Sequence, residues 1–164
     1  MSHKTSGNRQ LIAGFVFLLL SLVWAGVIFG FSAQDAQQSE SLSAEVTEVI
    51  VETYEVKTEP SIVEHFVRKS AHFGEYALLG GLMFCSFSCF LRFHKRSPYY
   101  AALISTLVSL IYAASDEFHQ GFVSGRSPEV TDVCIDTSGA VLAGALICLI
   151  ICIVRKIKMR KALK

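Results

Sequence analysis

The sequence predicts an all-α, polytopic membrane protein: four transmembrane helices, both termini cytoplasmic, and an amphipathic helical outer segment between spans one and two. Three observations predict it. Hydrophobic residues make up 52% of the 164 positions and charged residues only 18%, where a soluble globular chain carries about a quarter charged. The apolar residues gather into four long runs. The basic residues segregate to alternate connections between those runs. The whole chain, 1–164, reads as a single membrane domain, with a mean hydropathy of +0.46. Twelve Phe exclude a disordered chain. A net charge of +1, with 15 Lys and Arg, gives nucleic-acid binding no support.

The first span, residues 11–31, contains no charge and exceeds the roughly 20 residues that cross a bilayer core of about 30 Å. It is too long for a signal-peptide apolar region, and Phe31 is too bulky for the −3 position of a cleavage after Ala33. An uncleaved anchor is therefore expected. The second, third and fourth spans cover about 71–91, 99–120 and 129–154. Each carries charges near one end, but the stretches Tyr76–Leu91, Ala101–Ser115 and Thr137–Val154 have none. Their Leu, Ile, Val, Phe, Ala and Gly content is that of membrane helices.

Four crossings from a cytoplasmic N-terminus place segments 1–10, 92–98 and 155–164 inside. They hold two, three and six Lys and Arg, eleven in all, and no acid. The other side keeps Lys57, Arg68, Lys69 and Arg126 together with all fourteen acids. Because Lys and Arg bias sets orientation, both termini are expected in the cytoplasm and the protein in the plasma membrane.

Residues 32–67 form the outer connection. Leu42, Val46, Val49, Ile50 and Thr53 recur at helical spacing among acids. This predicts an amphipathic helix lying at the membrane surface or, given its acidity, packing its apolar side over the bundle. Ser61 and Glu64 offer a capping box for a helix that runs into the second span. Gly121 is placed to end the third span. Ser127 as N-cap, Pro128 at the first helical position and Glu129 in the first turn predict the start of the fourth. Residues 155–164 read as a basic cytoplasmic tail.

Cys85, Cys89, Cys134, Cys148 and Cys152 are odd in number and absent from the outer connections, so no disulfide framework is expected. Their i, i+4 spacing fits small apolar packing. Gly26-x-x-x-Gly30, Gly139-x-x-x-Ala143 and Ala140-x-x-x-Gly144 permit close helix contact, within the bundle or in a dimer.

Ionisable residues inside spanning helices are costly and mark function by default. Arg68, His72 and Glu75 share one face of the second helix. Ser105, Ser109, Tyr112, Asp116, His119 and Gln120 form a polar stripe on the third. Asp132, Asp136, Gly139 and Ala143 share a face of the fourth. All carry their charges toward the outer end, which predicts one convergent site near the outer leaflet. One reading makes this a structural network that fixes helix register. The other places a ligand there, with His and carboxylates for proton transfer and Arg for phosphate or carboxylate recognition. His72, Glu75, Asp116, His119, Asp132 and Asp136 also have metal-ligating atoms, but no closed metal motif appears, and no metal or other cofactor is assigned. No nucleophile elbow, Walker loop or dinucleotide fingerprint is present.

Arg68-Lys69-Ser70-Ala71-His72-Phe73-Gly74-Glu75-Tyr76-Ala77-Leu78-Leu79-Gly80 resembles the first signature of VanZ-like membrane proteins. Asp116-Glu117-Phe118-His119-Gln120, Gly125-Arg126-Ser127-Pro128, Asp132 and Asp136-Thr137-x-Gly139 resemble the second. Phe31-Ser32-x-Gln34 fits more loosely. The resemblance runs from about Phe31 to Gly144. It implies the four-helix architecture and singles out the polar cluster, but names no reaction. The family's namesake is associated with low-level resistance to teicoplanin at the cell envelope.

The expected activity is binding of, or action on, a lipid-linked or other envelope component in an outer-leaflet pocket. In the catalytic version His72 and Glu75 form the proton-transfer pair, with Asp116 and His119 their partners across the bundle. Arg68, Lys69, Gln120, Arg126, Asp132 and Asp136 are the substrate-binding or orienting groups. The alternatives are a non-catalytic structural or partner-binding membrane protein, and proton- or ion-coupled transport. Membrane lipids are the expected partners; the oligomeric state is left open.

Overall fold

A computed structural model describes residues 2–55, 57–93 and 98–163. These residues form five helices: α1 (Ser2–Ser32), α2 (Ala36–Tyr54), α3 (Pro60–Phe93), α4 (Pro98–Gln120) and α5 (Val130–Ala162). No strand occurs among the described residues. α1, α3, α4 and α5 are each long and apolar enough to cross a membrane, over Gly7–Ser32, Pro60–Leu91, Pro98–Gln120 and Val130–Ala162. Large apolar side chains such as Phe15, Leu19, Leu103, Ile111 and Ile150 point outward along these helices, the arrangement that lipid rather than water favours.

The four long helices alternate in direction, so the start of α1 and the end of α5 lie at one end of the bundle. The end of α1, the start of α3, the end of α4 and the start of α5 meet at the other. Arg9 and the basic residues of α5 from Arg155 onward belong to the first end. The expected inner loop lies mostly outside the described residues, as do Lys95, Arg96 and the side chains of Lys4 and Arg92.

The closest approach is between α3 and α5. A Cβ added to Gly80 would stand 2.7 Å from both Cα and Cβ of Ala140. A Cβ added to Gly139 would fall on the carbonyl oxygen of Phe73 and within 3.1 Å of the Ala77 nitrogen. The small residues thus serve contact within the bundle, where backbones touch directly. Around this crossing Tyr76, Leu79 and Phe84 are almost fully buried. α1 is held to α3 and α4 by side-chain donors on backbone carbonyls. Ser86 Oγ donates to Gly14 O at 2.9 Å, Trp24 Nε1 to Glu75 O at 2.9 Å and Tyr112 Oη to Ala25 O at 2.6 Å. Gly26 and Gly30, by contrast, meet nothing within 4 Å.

Several helix boundaries differ from expectation. The connecting segment 32–67 is mostly helical: it contains α2 and the first turns of α3. Asp35 caps α2 by accepting from Gln38 N at 2.8 Å, and Glu55 closes it in the left-handed conformation, φ 47°. α2 packs on α3 through Ser43 and Thr47, which are buried, whereas Leu42, Val46 and Val49 are 48%, 49% and 64% exposed. The expected apolar contact face is therefore the outward one, because the small Ser and Thr side chains allow the two backbones to come close. Ser43 meets its own hydrogen-bonding need on Ser39 O at 2.8 Å.

α3 starts at Pro60 rather than behind a Ser61 cap: Glu59 O accepts from Ile62 N and Val63 N. Proline has no N–H to lose and a fixed φ suited to that first position. Ser127 likewise does not cap α5. The helix begins at Val130, with extended Glu129 at the cap position and no side-chain cap bond. α5 also continues through Ala162, so most of the basic tail extends the helix.

Gly139→Ala is expected to lower the thermal unfolding midpoint in detergent by the equivalent of about 1–3 kcal/mol or more, because backbone blocks the added methyl. Gly74→Ala, whose Cβ meets nothing within 4 Å, should leave the midpoint unchanged or slightly raised. Equal effects would show that the α3–α5 crossing is not this close.

Candidate functional site

The α3–α5 crossing fixes what stands one and two turns away. Four residues before Gly80 and three before Gly139 lie Tyr76 and Asp136, and one further turn up α3 is His72. His72 Nδ1 and Asp136 Oδ1 are 3.8 Å apart, and both atoms are buried without a hydrogen bond. Asp136 is 2% exposed. From α4, Asp116 and Gln120 turn inward and are buried, with Gln120 Nε2 donating to Asp116 Oδ2 at 3.4 Å. Ser105 and Ser109 are buried on the same stripe. Asp116 Oδ1 and Tyr76 Oη have no hydrogen-bond partner among the described residues. The polar faces expected of three helices thus converge.

A pocket of about 300 Å³ opens above this cluster, small for a ligand cleft. Arg68, Lys69 and His72 line it from α3, Gln120 from α4, Arg126 and Ser127 from the α4–α5 connection, and Asp132 from α5. α2 adds Ala36, Ser39 and Glu40. The connection is seated by Gly125, whose φ of 75° suits glycine and whose Cβ position lies 3.0 Å from Ala36 Cβ. Ala36 N also donates to Ser124 O at 3.3 Å. The beginning of α2 and this connection form one wall.

Charges in the pocket are unequally satisfied. Lys69 Nζ forms ion pairs with Asp132 Oδ1 and, at 3.4 Å, with Glu129 Oε2. Arg126 donates to the backbone carbonyl of Ser32 at 3.3 Å. Arg68 makes no ion pair or hydrogen bond among the described residues. Burial, and then the neighbouring Arg68 guanidinium, push the proton affinity of Arg126 below the ordinary arginine value. Two cationic forks therefore face one pocket with no carboxylate bound to either.

Other expected residues have different settings. Glu75 is half-buried; its backbone carbonyl takes the Trp24 hydrogen bond, and its carboxylate has no hydrogen-bond partner among the described residues. His72 is thus adjacent to Asp136 rather than paired with Glu75. His119 turns toward α1, where its ring lies 4.6 Å from that of Phe29, and it does not line the pocket. Glu117, which the sequence places in the second signature without a role, is buried and accepts the backbone N–H of Glu129 through Oε1. This bond keeps Glu129 extended and delays the start of α5. Glu40 and Ser39 were also missed, since nothing marks one acid among the many of α2. No group of three or more His, Cys, Asp and Glu among the described residues is placed to hold a metal ion.

Comparison with known proteins adds one decisive observation: the sequence pattern of the VanZ/LLP1 family matches residues 16–152. The chain belongs to the VanZ/LLP1 family. With its four apolar helices, it is a VanZ-like membrane protein. The family match contains every pocket and cluster residue and omits only the first turns of α1 and the last turns of α5. No curated protein and no solved structure matches the chain.

A double-mutant cycle on Lys69→Met and Asp132→Asn should give a coupling of about 0.5–3 kcal/mol in detergent unfolding, as expected for neighbours in an ion-pair network. Lys69→Met leaves the Asp132 carboxylate unmatched, while Asp132→Asn leaves Lys69 only its longer pair with Glu129. Strictly additive losses would show that the two side chains do not interact.

Proposed function

We propose that this VanZ-like protein lies in the plasma membrane with both termini in the cytoplasm. Its pocket, at the outer leaflet, binds the anionic headgroup of a lipid-linked cell-envelope component. The observation that carries the reading is the Arg68–Arg126 pair. Two guanidinium groups in one pocket repel each other until an anion lies between them, and phosphate oxygens match their planar forks.

A lipid source for that anion is supported by the surroundings. Phe66, Phe118, Phe122 and Val130 are each at least 70% exposed at the same end of the bundle. Aromatic side chains at that level suit the boundary between headgroups and acyl chains. The orientation rests on eleven basic residues and no acid in the segments assigned to the cytoplasm. Transport fits less well, because no Asp or Glu of α1, α3, α4 or α5 lies in the half of the bundle away from the pocket, leaving a relay no continuation. A tolerance of teicoplanin would, on this reading, follow from altered handling of an envelope lipid.

A structural reading is favoured by the Lys69–Asp132 and Glu117–Glu129 contacts, which tie α3, α4 and α5 in register. It accounts for those residues but leaves the two arginines unexplained.

Two measurements test the proposal. In a cysteine-free background, Thr58→Cys should react with an impermeant maleimide in intact cells, and Met159→Cys only after permeabilisation; the reverse pattern overturns the orientation. Native mass spectrometry of the purified protein should show phosphatidic acid or a prenyl diphosphate retained over phosphatidylcholine. Arg68→Ala and Arg126→Ala should each weaken that retention about tenfold or more, the worth of a charge-assisted hydrogen bond. Equal retention of phosphatidylcholine overturns the headgroup assignment.

A further inference from the structure

We propose that the pocket hydrolyses a lipid diphosphate, with His72 as nucleophile and Asp136 as its positioning residue. The inference rests on the anion-binding reading above and adds a reaction to it.

The geometry begins with the two faces of the His72 ring. Nδ1 is the buried nitrogen, 3.8 Å from a carboxylate oxygen of Asp136 that has no hydrogen-bond partner among the described residues. The ring itself lines the pocket. Nε2 is left as the nitrogen available to a bound group. A buried carboxylate behind one imidazole nitrogen selects the tautomer with its proton on Nδ1, leaving the Nε2 lone pair free to attack. It also stabilises the cationic ring that attack creates. A separation slightly beyond hydrogen-bond length is usual before substrate tightens such a contact. Asp136 is held in place by Gly139 one turn below, whose contact with the α3 backbone brings α5 against His72.

Arg68 and Arg126 stand in the same pocket as this ring. Two guanidiniums match two phosphoryl groups, one on the attacked phosphorus and one on the departing phosphate. A diphosphate also fits the rest of the pocket chemically. A lipid monophosphate would expel an alkoxide and require a proton donor. The pocket carboxylates of Glu129 and Asp132 are already engaged by Lys69. A diphosphate expels a phosphate, which leaves without being protonated.

In the first step the Nε2 lone pair bonds to the terminal phosphorus. The bond from that phosphorus to the bridging oxygen breaks, and its electron pair departs on the lipid monophosphate. In the second, water attacks the phosphorus of the phosphohistidine. The P–N bond breaks, its electron pair returns to Nε2, and the proton released by the water remains on inorganic phosphate. Lipid diphosphate and water thus become lipid monophosphate and phosphate, with no other reactant.

The test uses the full-length purified protein with a long-chain prenyl diphosphate carrying ³²P in its terminal group. Wild type should release labelled phosphate and, after rapid quenching, carry label that is acid-labile and alkali-stable and maps to His72. His72→Gln should lose both release and label while still retaining a methylene-bridged diphosphonate analogue in native mass spectrometry. Asp136→Asn should lower kcat about a hundredfold with little change in KM, and Asp136→Glu should restore part of it. Binding without release by wild type, or label on another residue, overturns the proposal and leaves the anion-binding reading intact. Failure of wild type to bind either the diphosphate or its analogue overturns both.

Discussion

The structure depends on one contact: the backbone of α3 against that of α5 at Gly80, Gly139 and Ala140. Nothing larger than the Ala140 methyl separates the two helices there, so their relative position is set to within the thickness of a methyl group. Association between apolar helices in lipid gains little from the hydrophobic effect, and close packing supplies the specificity instead. The consequences run upward along both helices. Asp136 is one turn above Gly139, and His72 is two turns above Gly80. Lys69 and Asp132 lie a further turn out. Each pair is brought into reach by the same crossing, so the polar cluster is built on the glycine contact.

A membrane bundle must place its carboxylates where water, a cation or a ligand can satisfy them. Here every acid of the four long helices lies toward one end. That end is closed by α2, by the α4–α5 connection and by the first turns of α3. α2 contributes its small polar face to α3 and its first turn to the pocket wall, leaving Leu42, Val46 and Val49 outward. Glu117 holds the backbone N–H of Glu129, which places the connection carrying Arg126 over the bundle. The segment between α1 and α3 is thereby part of the pocket's architecture.

The four membrane-length helices were legible because bilayer thickness imposes a strong pattern: four long runs, each with an uncharged apolar stretch. The small-residue faces and the inward stripe of α4 followed from helical spacing, and Ser105, Ser109, Asp116 and Gln120 are indeed buried. Helix starts were less legible because tertiary contacts decide them. Glu129 stays extended while it donates to Glu117, and Pro60 takes the first helical position, which puts Ser61 inside the helix and not at its cap. The contact face of α2 was misjudged because hydrophobicity was taken to define the packed side. In a close helix pair, side-chain size can decide instead. The partnership of His72 with Asp136 rather than Glu75 required the crossing itself, since spacing along α3 says nothing about which residue of α5 lies opposite.

The distribution of cations then separates two tasks that composition alone would merge. Lys69 is committed to Asp132 and Glu129, and this exchange ties α3 to the start of α5. Arg126 is oriented by a neutral carbonyl, which fixes its position without cancelling its charge. Arg68 stands beside it with no carboxylate attached. An anion site needs positive charge that the protein has not already neutralised, held in place by groups that do not compete for it. A bundle built only for stability would pair both arginines with the acids around them, since four carboxylates of Glu75, Asp116, Glu117 and Asp132 lie within electrostatic reach of this end of the chain. Their separation from the two guanidiniums by lysine pairing, backbone bonding and burial is the feature that a purely structural network does not require.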